Sequence, residues 1–266
     1  MENIIASIKN ESSSIETLIN DLDESAWRTK TKFKHWSPEI IISHLLYFDQ
    51  MTIYSLNDSN KFNQEAAFLF QTFSSENNSL VRAQKVKDRL LIDTKSSMIA
   101  KWKASNHEMT SAFINVDPDL RCQWFGPDMG AKMFMVARYM EAWSHSQAIY
   151  ELIDRRRHYT DEIKHIVDIG VKTFKWSFRN RKLDVPKVFP YIELISPTGK
   201  TWSFNELNQK ESIIGLATDF CHVVTQNRNI KDTELEVNGK ISEHWMSIAQ
   251  CFAGEPEEPP EQGERN

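Results

Sequence analysis

A carboxylate and an imidazole lie four residues apart in a long apolar stretch, and this pair constrains the fold more than any other feature. Glu141 and His145 stand among apolar and aromatic residues, namely Met133, Phe134, Val136, Ala137, Tyr139, Met140, Trp143, Ala148 and Ile149. An α-helix repeats every 3.6 residues, so both side chains project from successive turns of one face. Because an unpaired buried carboxylate is costly, the fold must give Glu141 a partner, and a metal ion is one such partner.

A third ligand is available on an earlier apolar segment, where His44 follows Ser43 and precedes Leu45. Two imidazoles and a carboxylate are a common ligand set for a reactive zinc or similar divalent site, in which water takes the remaining position. The alternative is that Glu141 and His145 make only a surface contact between adjacent helical turns. The sequence therefore predicts a metal site at His44, Glu141 and His145, with that alternative open.

Composition and charge exclude several classes of function. The chain has 266 residues, 40% hydrophobic and 26% charged, with a formal charge of −5, which suits one large or two medium globular domains. Its basic residues are scattered apart from Arg155, Arg156 and Arg157, so no surface for nucleic acid is predicted. We expect a small-molecule substrate instead, and a monomer or a homodimer is equally compatible with the sequence.

Cysteine usage and the N-terminus favour a cytoplasmic protein. Cys122, Cys221 and Cys251 are far apart and form no C-x-x-C pair, which argues against a disulfide framework and against a cysteine zinc site. The first residues lack a cationic segment followed by an apolar run, and no run approaches the ~18 apolar residues needed to span a bilayer. We therefore expect no membrane partner.

Periodic apolar residues predict a helical N-terminal part. Ser37 and Pro38 have the chemistry of a helix cap and first helical position, which places His44 about two turns into a helix. Residues 57–80 are predicted as a short helix and loop. The remaining predicted helices run to Leu22 and over residues 81–114, 130–152 and 161–178. Long helices with short connections predict an up-down bundle.

The pattern changes after residue 180. Alternating strands at 191–195 and 201–204 flank Pro197-Thr198-Gly199-Lys200, which is typical of a hairpin. Further elements are predicted as a helix at 212–225, a strand at 233–237 and a helix at 242–252. The sequence thus predicts an α+β protein with three parts: a four-helix bundle at 1–180, a small α+β domain at 181–254, and a tail at 255–266 that its proline and glutamate content predicts to be disordered.

Several motifs resemble those of the DinB-like metal-binding proteins, specifically the branch of mycothiol-dependent maleylpyruvate isomerases. The resemblance spans nearly the whole chain. It is carried by Thr31–Ser37 leading into His44-Leu45, by Trp124-Phe125-Gly126-Pro127, by Ala137–His145, by Asp219-Phe220-Cys221 and by Ala249–Gly254. The resemblance implies a DinB-like bundle in which His44, Glu141 and His145 hold a divalent metal. Zinc is the first choice, with nickel, iron and manganese as alternatives.

The chain departs from the family pattern in two places. Ala148 stands where relatives often place an Asp three residues after the second His ligand. Asn227 stands at the nearest equivalent of an Arg that binds the acidic substrate in the isomerases, and Arg228 is adjacent. Arg228 is therefore retained as a candidate catalytic residue, and maleylpyruvate itself is not predicted as the substrate.

Two more residues are candidates for the site. Arg138 lies one turn before Glu141, where it either binds an anionic substrate or pairs with a nearby carboxylate. Trp124 precedes the ligand helix and either lines the pocket as a cofactor-binding residue or packs in a structural turn with Gly126 and Pro127. Sequence alone leaves both pairs of alternatives open.

A metal with three protein ligands and one open position can activate a low-molecular-weight thiol or a water molecule. The sequence and the resemblance together predict a metal-dependent isomerase or S-transferase that acts on a small electrophilic substrate. The alternative is a protein that binds a metal or a small ligand on the same bundle without catalysis.

Overall fold

The computed structural model describes residues 1–125 and 128–265. The chain divides into two compact units, Met1–Arg155 and Arg156–Asn266. Among the described residues, no helix is both long enough and apolar enough to cross a membrane.

The first unit is helical. Its helices are α1 Glu2–Asn20, α2 Glu24–Arg28, α3 Pro38–Asn57, α4 Ser59–Ser75, α5 Ser79–Arg89, α6 Lys95–Phe113 and α7 Ala131–Leu152. Helix α1 contacts α6 and α7, and α3 contacts the same two helices, so these four close into a bundle. A short antiparallel pair, β1 Arg121–Cys122 and β2 Met129–Gly130, precedes α7.

Local chemistry explains why α3 begins where it does. The Ser37 side chain accepts a hydrogen bond from the Ile40 amide, and Pro38 occupies the first helical position. The apolar face of α3 then enters the core, where Ile41 and Leu45 are fully buried. The predicted start of α3 is confirmed, and α7 begins within one residue of its predicted boundary.

The segment between α3 and α7 differs from the prediction. One helix was expected over 81–114, whereas the structure has α5 and α6 with a break between them. Leu91 adopts a left-handed backbone conformation with φ of +52° and is 86% exposed, so it does not continue the apolar face. Thr94 then caps α6 by accepting from the Ser97 amide. The short helix expected within residues 57–80 is the longer α4, Ser59–Ser75.

The second unit combines helices with a four-stranded sheet. Its elements are α8 Lys164–Lys172, α9 Phe174–Asn180, β3 Tyr191–Ile195, β4 Thr201–Phe204, β5 Ser212–Leu216, α10 Ala217–Val224, β6 Glu236–Asn238 and α11 Lys240–Ile248. The strand order is β4-β3-β5-β6. Strand β3 is antiparallel to β4, as the hairpin pattern predicted, and parallel to β5, which is antiparallel to β6.

Two predictions for this unit need correction. The helix expected at 212–225 is β5 followed by α10, because Ile213 pairs with Ile192 of β3 and Val237 of β6, partners that are distant in sequence. The helix predicted over residues 161–178 is a 3₁₀ turn, Asp161–Ile163, followed by α8 and α9. Helix α8 packs on α10 and α9 on α11. The two compact units meet in sequence at residue 155, whereas the sequence predicts a domain boundary at residue 180.

The expectation of a disordered tail is not met, because residues 255–265 pack on the second unit. Arg265 is 2% exposed, and its Nη1 donates to Asn227 Oδ1 at 3.0 Å. The Gln226 side-chain amide donates to the carbonyl of Glu257 at 2.8 Å. Polar side chains thus bind the tail backbone, which hydrophobic patterning does not reveal.

We predict that Gly239→Ala destabilises the second unit more than Gly199→Ala. Both glycines have left-handed backbones, with φ of +94° and +82°, so both variants carry a cost of about 1–2 kcal/mol. A Cβ at Gly239 would lie 2.0 Å from the Lys210 carbonyl oxygen, and overpacking adds about 1–3 kcal/mol. A Cβ at Gly199 meets no atom within 4 Å.

Urea unfolding of both variants beside the wild type measures this difference. Equal losses of stability would show that the close approach at Gly239 carries no cost of its own.

Candidate metal centre

Three side chains from two helices converge in the first unit. His44 comes from α3, and Glu141 and His145 come from successive turns of α7. His44 Nε2 lies 3.2 Å and His145 Nε2 lies 3.1 Å from the same oxygen, Glu141 Oε2. One ligand atom from each residue lies within 4.8 Å of the other two. In the described part of the chain, no other three His, Cys, Asp or Glu side chains bring ligand atoms within 4.8 Å of one another.

The chemistry of the donor set fits a divalent metal. With metal–ligand bonds of 2.0–2.1 Å, two ligands of a tetrahedral site lie about 3.3 Å apart, close to both measured distances. The side chains of His44, Glu141 and His145 are 17%, 23% and 12% exposed, so the cluster is partly open to solvent. The three residues could therefore hold a metal and leave a position for another molecule.

The protonation states suit metal binding. Burial, reinforced by the nearby His145, lowers the pKa of His44 to about 4. Burial alone would raise the pKa of Glu141, but hydrogen bonds from His145 and His44 outweigh it and hold the pKa well below its usual value. Neutral imidazole and ionised carboxylate are the forms that bind a metal. At neutral pH His44 is neutral and Glu141 is anionic.

Aromatic rings surround the two imidazoles. The Trp36 ring stacks on His145 at 5.5 Å with 12° between the planes, and it lies 5.3 Å from His44. Phe33 approaches His145 edge-on at 5.2 Å, and Phe48 lies 4.6 Å from His44. Phe33 and Trp36 belong to the Thr31–Ser37 motif, but the sequence predicts no role for them, because they lie in a loop where helical spacing carries no information.

Arg138 does not join this group. Its Nη2 and Nε donate to Asp49 Oδ1 at 2.9 and 3.2 Å, and Nη2 also donates to the Leu45 carbonyl at 3.3 Å. Arg138 and Asp49 side chains are each 3% exposed. Of the two roles left open, carboxylate pairing is the one that the structure shows, and a catalytic role for Arg138 stays a prediction.

Trp124 reaches the candidate metal ligands only through Phe48 in the ring contacts described. It contacts Phe48 at 6.0 Å and Phe134 at 4.6 Å, and Phe48 in turn contacts His44. The predicted turn at Gly126 and Pro127 lies outside the described residues.

Arg228 belongs to the second unit and follows α10. Its Nη1 donates to the carbonyl of Asn227 at 2.8 Å. Asn227 is fully buried and accepts from Arg265, as described above. The carboxamide at position 227 thus holds the tail through its side chain.

A family model described as the mycothiol maleylpyruvate isomerase N-terminal domain matches residues 9–150. The chain belongs to this family. The matched residues include His44, Glu141 and His145. Membership in the mycothiol maleylpyruvate isomerase family confirms the resemblance that the sequence motifs indicated.

Other proteins are similar to this chain in sequence or in fold. Two uncharacterised proteins from two strains of Mycobacterium tuberculosis are each 27% identical over 252 residues, 95% of this chain and 96% of theirs. The crystal structure of the mycothiol-dependent maleylpyruvate isomerase matches with a TM-score of 0.51 and 10% identity, over 84% of this chain and 87% of that one. A histidine-to-alanine mutant of that isomerase matches with a TM-score of 0.51 and 9% identity. The predicted α+β fold class is thereby confirmed.

We predict that Asp49→Ala destabilises the protein by about 3–5 kcal/mol, because it leaves the buried guanidinium of Arg138 without its carboxylate. The double variant Asp49→Leu with Arg138→Met should recover most of that loss, since no charge then remains buried. Denaturant unfolding of the single and double variants measures both effects. A cost below about 1 kcal/mol for Asp49→Ala would be typical of an exposed pair and would contradict this account.

Proposed function

We propose that this protein is a divalent-metal-dependent enzyme of the thiol-dependent isomerase or S-transferase type, with the metal held by His44, Glu141 and His145. The observation that carries the proposal is the meeting of two imidazole nitrogens on one carboxylate oxygen, at 3.2 and 3.1 Å. Family membership adds support, because the family is named for a mycothiol isomerase and the similar solved structure is of a mycothiol-dependent enzyme. Zinc is the metal we propose, and a low-molecular-weight thiol is the proposed co-substrate.

A divalent ion bound at this site would supply Lewis acidity and lower the pKa of a thiol or water molecule in its remaining position. The chain's own residues prepare the site for this chemistry. His44 presents a neutral nitrogen, since its pKa is about 4, and Glu141 supplies negative charge. The rings of Trp36, Phe33 and Phe48 shield the imidazoles from water on the sides they cover.

The substrate we propose is a small electrophile. Isomerisation and S-transfer would both begin with attack by the thiolate on the substrate. An isomerisation releases the thiol from the adduct again, whereas in an S-transfer the adduct is the product. Maleylpyruvate, named for the related enzyme, is not carried over to this chain. Arg138 is bound to Asp49, and Asn227 occupies the position where the resemblance places a substrate-binding Arg.

A second candidate is a protein that binds a metal or small ligand without turnover. The observation that favours it is the engagement of Arg138, because the guanidinium nearest the ligands in sequence is neutralised by Asp49 rather than offered to a substrate. The two candidates predict the same metal content and differ in thiol-dependent turnover.

The first experiment is elemental analysis of purified wild type beside His44→Ala and His145→Ala. We expect about one equivalent of divalent metal in the wild type and little in either variant. His107→Ala is the matched control, because His107 is an exposed imidazole on α6 of the same unit. Circular dichroism should show folded helices throughout, since the ligands lie on preformed helices. Equal metal content in all four proteins, or none in any, would refute the metal site.

The second experiment measures turnover by the metal-loaded protein. Mycothiol, cysteine and glutathione are each supplied with electrophilic unsaturated acids, including maleylpyruvate, and loss of substrate is followed. We expect thiol-dependent turnover in the wild type and in His107→Ala, and only the uncatalysed rate in Glu141→Gln. Metal binding without turnover by any thiol would instead support the binding-protein candidate.

A further inference from the structure

The imidazole of His145 lacks the hydrogen bond that usually orients a metal-binding histidine. Its Nε2 faces Glu141, and its Nδ1 is buried with no hydrogen-bond partner among the described residues. A metal-binding His almost always donates its other ring N–H to a carboxylate, carbonyl or water, which fixes the ring and raises its basicity. Ala148, one turn further along α7, is 1% exposed and offers no polar side-chain atom. Something else must hold the ring.

Trp36 is placed to do so. Its indole lies almost parallel to the His145 imidazole, 5.5 Å away with 12° between the planes, and is 7% exposed. Of the aromatic side chains described, apart from the two histidines themselves, only Trp36 contacts both imidazoles. Phe33 adds an edge-on contact to His145 at 72°. Rotation of the His145 ring would therefore disrupt packing on its faces.

The rings of Phe33 and Trp36 lie at the two ends of a strained turn. Lys34 and His35 both have left-handed backbones, with φ of +50° and +59°, and the Trp36 amide donates to the Phe33 carbonyl at 2.9 Å. A two-residue turn of this kind normally contains asparagine and glycine, because side chains with a Cβ are disfavoured there. Such strain persists only where the surrounding structure enforces it, and it is found preferentially at functional sites. Here Phe33 and Trp36 flank the turn and contact each other at 5.3 Å.

We propose that Trp36, presented by the Lys34–His35 turn, is a positioning residue that orients the His145 and His44 imidazoles by ring stacking instead of by a hydrogen bond to Nδ1. The inference rests on the proposed function, since the oriented rings are the proposed metal ligands. It also makes His145 a weaker electron donor than a histidine that donates Nδ1–H to a carboxylate.

The test compares Trp36→Leu, Trp36→Phe and Trp27→Leu in the full chain. Trp27 is the matched control, because it is 1% exposed in the same unit and no described ring contact joins it to His44 or His145. The probe is Co²⁺, whose visible spectrum reports ligand geometry. Loss of the stack should weaken Co²⁺ affinity by about 10- to 100-fold in Trp36→Leu and change its spectrum. Trp36→Phe, which keeps a ring, should restore most of both.

The control Trp27→Leu tests for a purely structural effect. It should lower thermal stability while leaving Co²⁺ affinity and spectrum unchanged. If Trp36→Leu binds Co²⁺ like the wild type, or if Trp27→Leu weakens binding equally, the proposal is overturned. Thermal unfolding of the metal-free variants separates a loss of stability from a loss of ligand orientation.

A metal-free measurement keeps this inference distinct from the proposed function. In the NMR spectrum of the metal-free protein, the Trp36 ring current should shift the His145 ring protons, and Trp36→Leu should remove that shift. Absence of the shift in the wild type would overturn the stacking. Co²⁺ binding without thiol-dependent turnover would refute the proposed enzyme while leaving the comparison of Trp36 with Trp27 intact.

Discussion

The buried pair between Arg138 and Asp49 is the interaction on which the arrangement of the bundle depends. It joins α7 to α3, the two helices that carry the candidate metal ligands. The Asn106 side-chain amide of α6 donates to the other Asp49 oxygen at 3.1 Å, and the Ser12 hydroxyl of α1 donates to the Asn106 oxygen at 2.9 Å. The four bundle helices α1, α3, α6 and α7 thus meet in one polar network. Because a buried charge is tolerated only with its partners in place, this network disfavours sliding of α3 along α7.

Glu141 of the same bundle differs from Asp49 in its partner and in its exposure, which is 23% for its side chain. Asp49 faces a guanidinium, which is always charged, so its partner is built into the chain. Glu141 faces His44, whose low pKa leaves it neutral at physiological pH. The charge of Glu141 is therefore not cancelled by His44, and a divalent cation would cancel it while using the lone pairs of both imidazoles. This contrast explains why one carboxylate serves the fold and the other is the candidate for chemistry.

Local signals in the sequence were sufficient for some elements and insufficient for others. The cap at Ser37 and Pro38 located α3, and the helical spacing of Glu141 and His145 placed them on one face, because both depend on residues within two turns. The apolar pattern over 81–114 predicts one helix. The residue at the break, Leu91, has a left-handed backbone but is not a glycine, which is the usual sequence signal for that conformation. Strand β5 was read as a helix because its hydrogen-bond partners come from β3 and β6.

The sequence alone predicts the helical character of the first unit from residue spacing, and the family and the three candidate ligands from motifs in separate segments, because residue type and local spacing carry this information. Only the tertiary structure decided that Arg138 pairs with Asp49 and that Trp36 stacks on His145. It also decided that the tail packs through Arg265. These outcomes depend on which helix or loop lies opposite a given side chain, and one-dimensional periodicity does not contain that information.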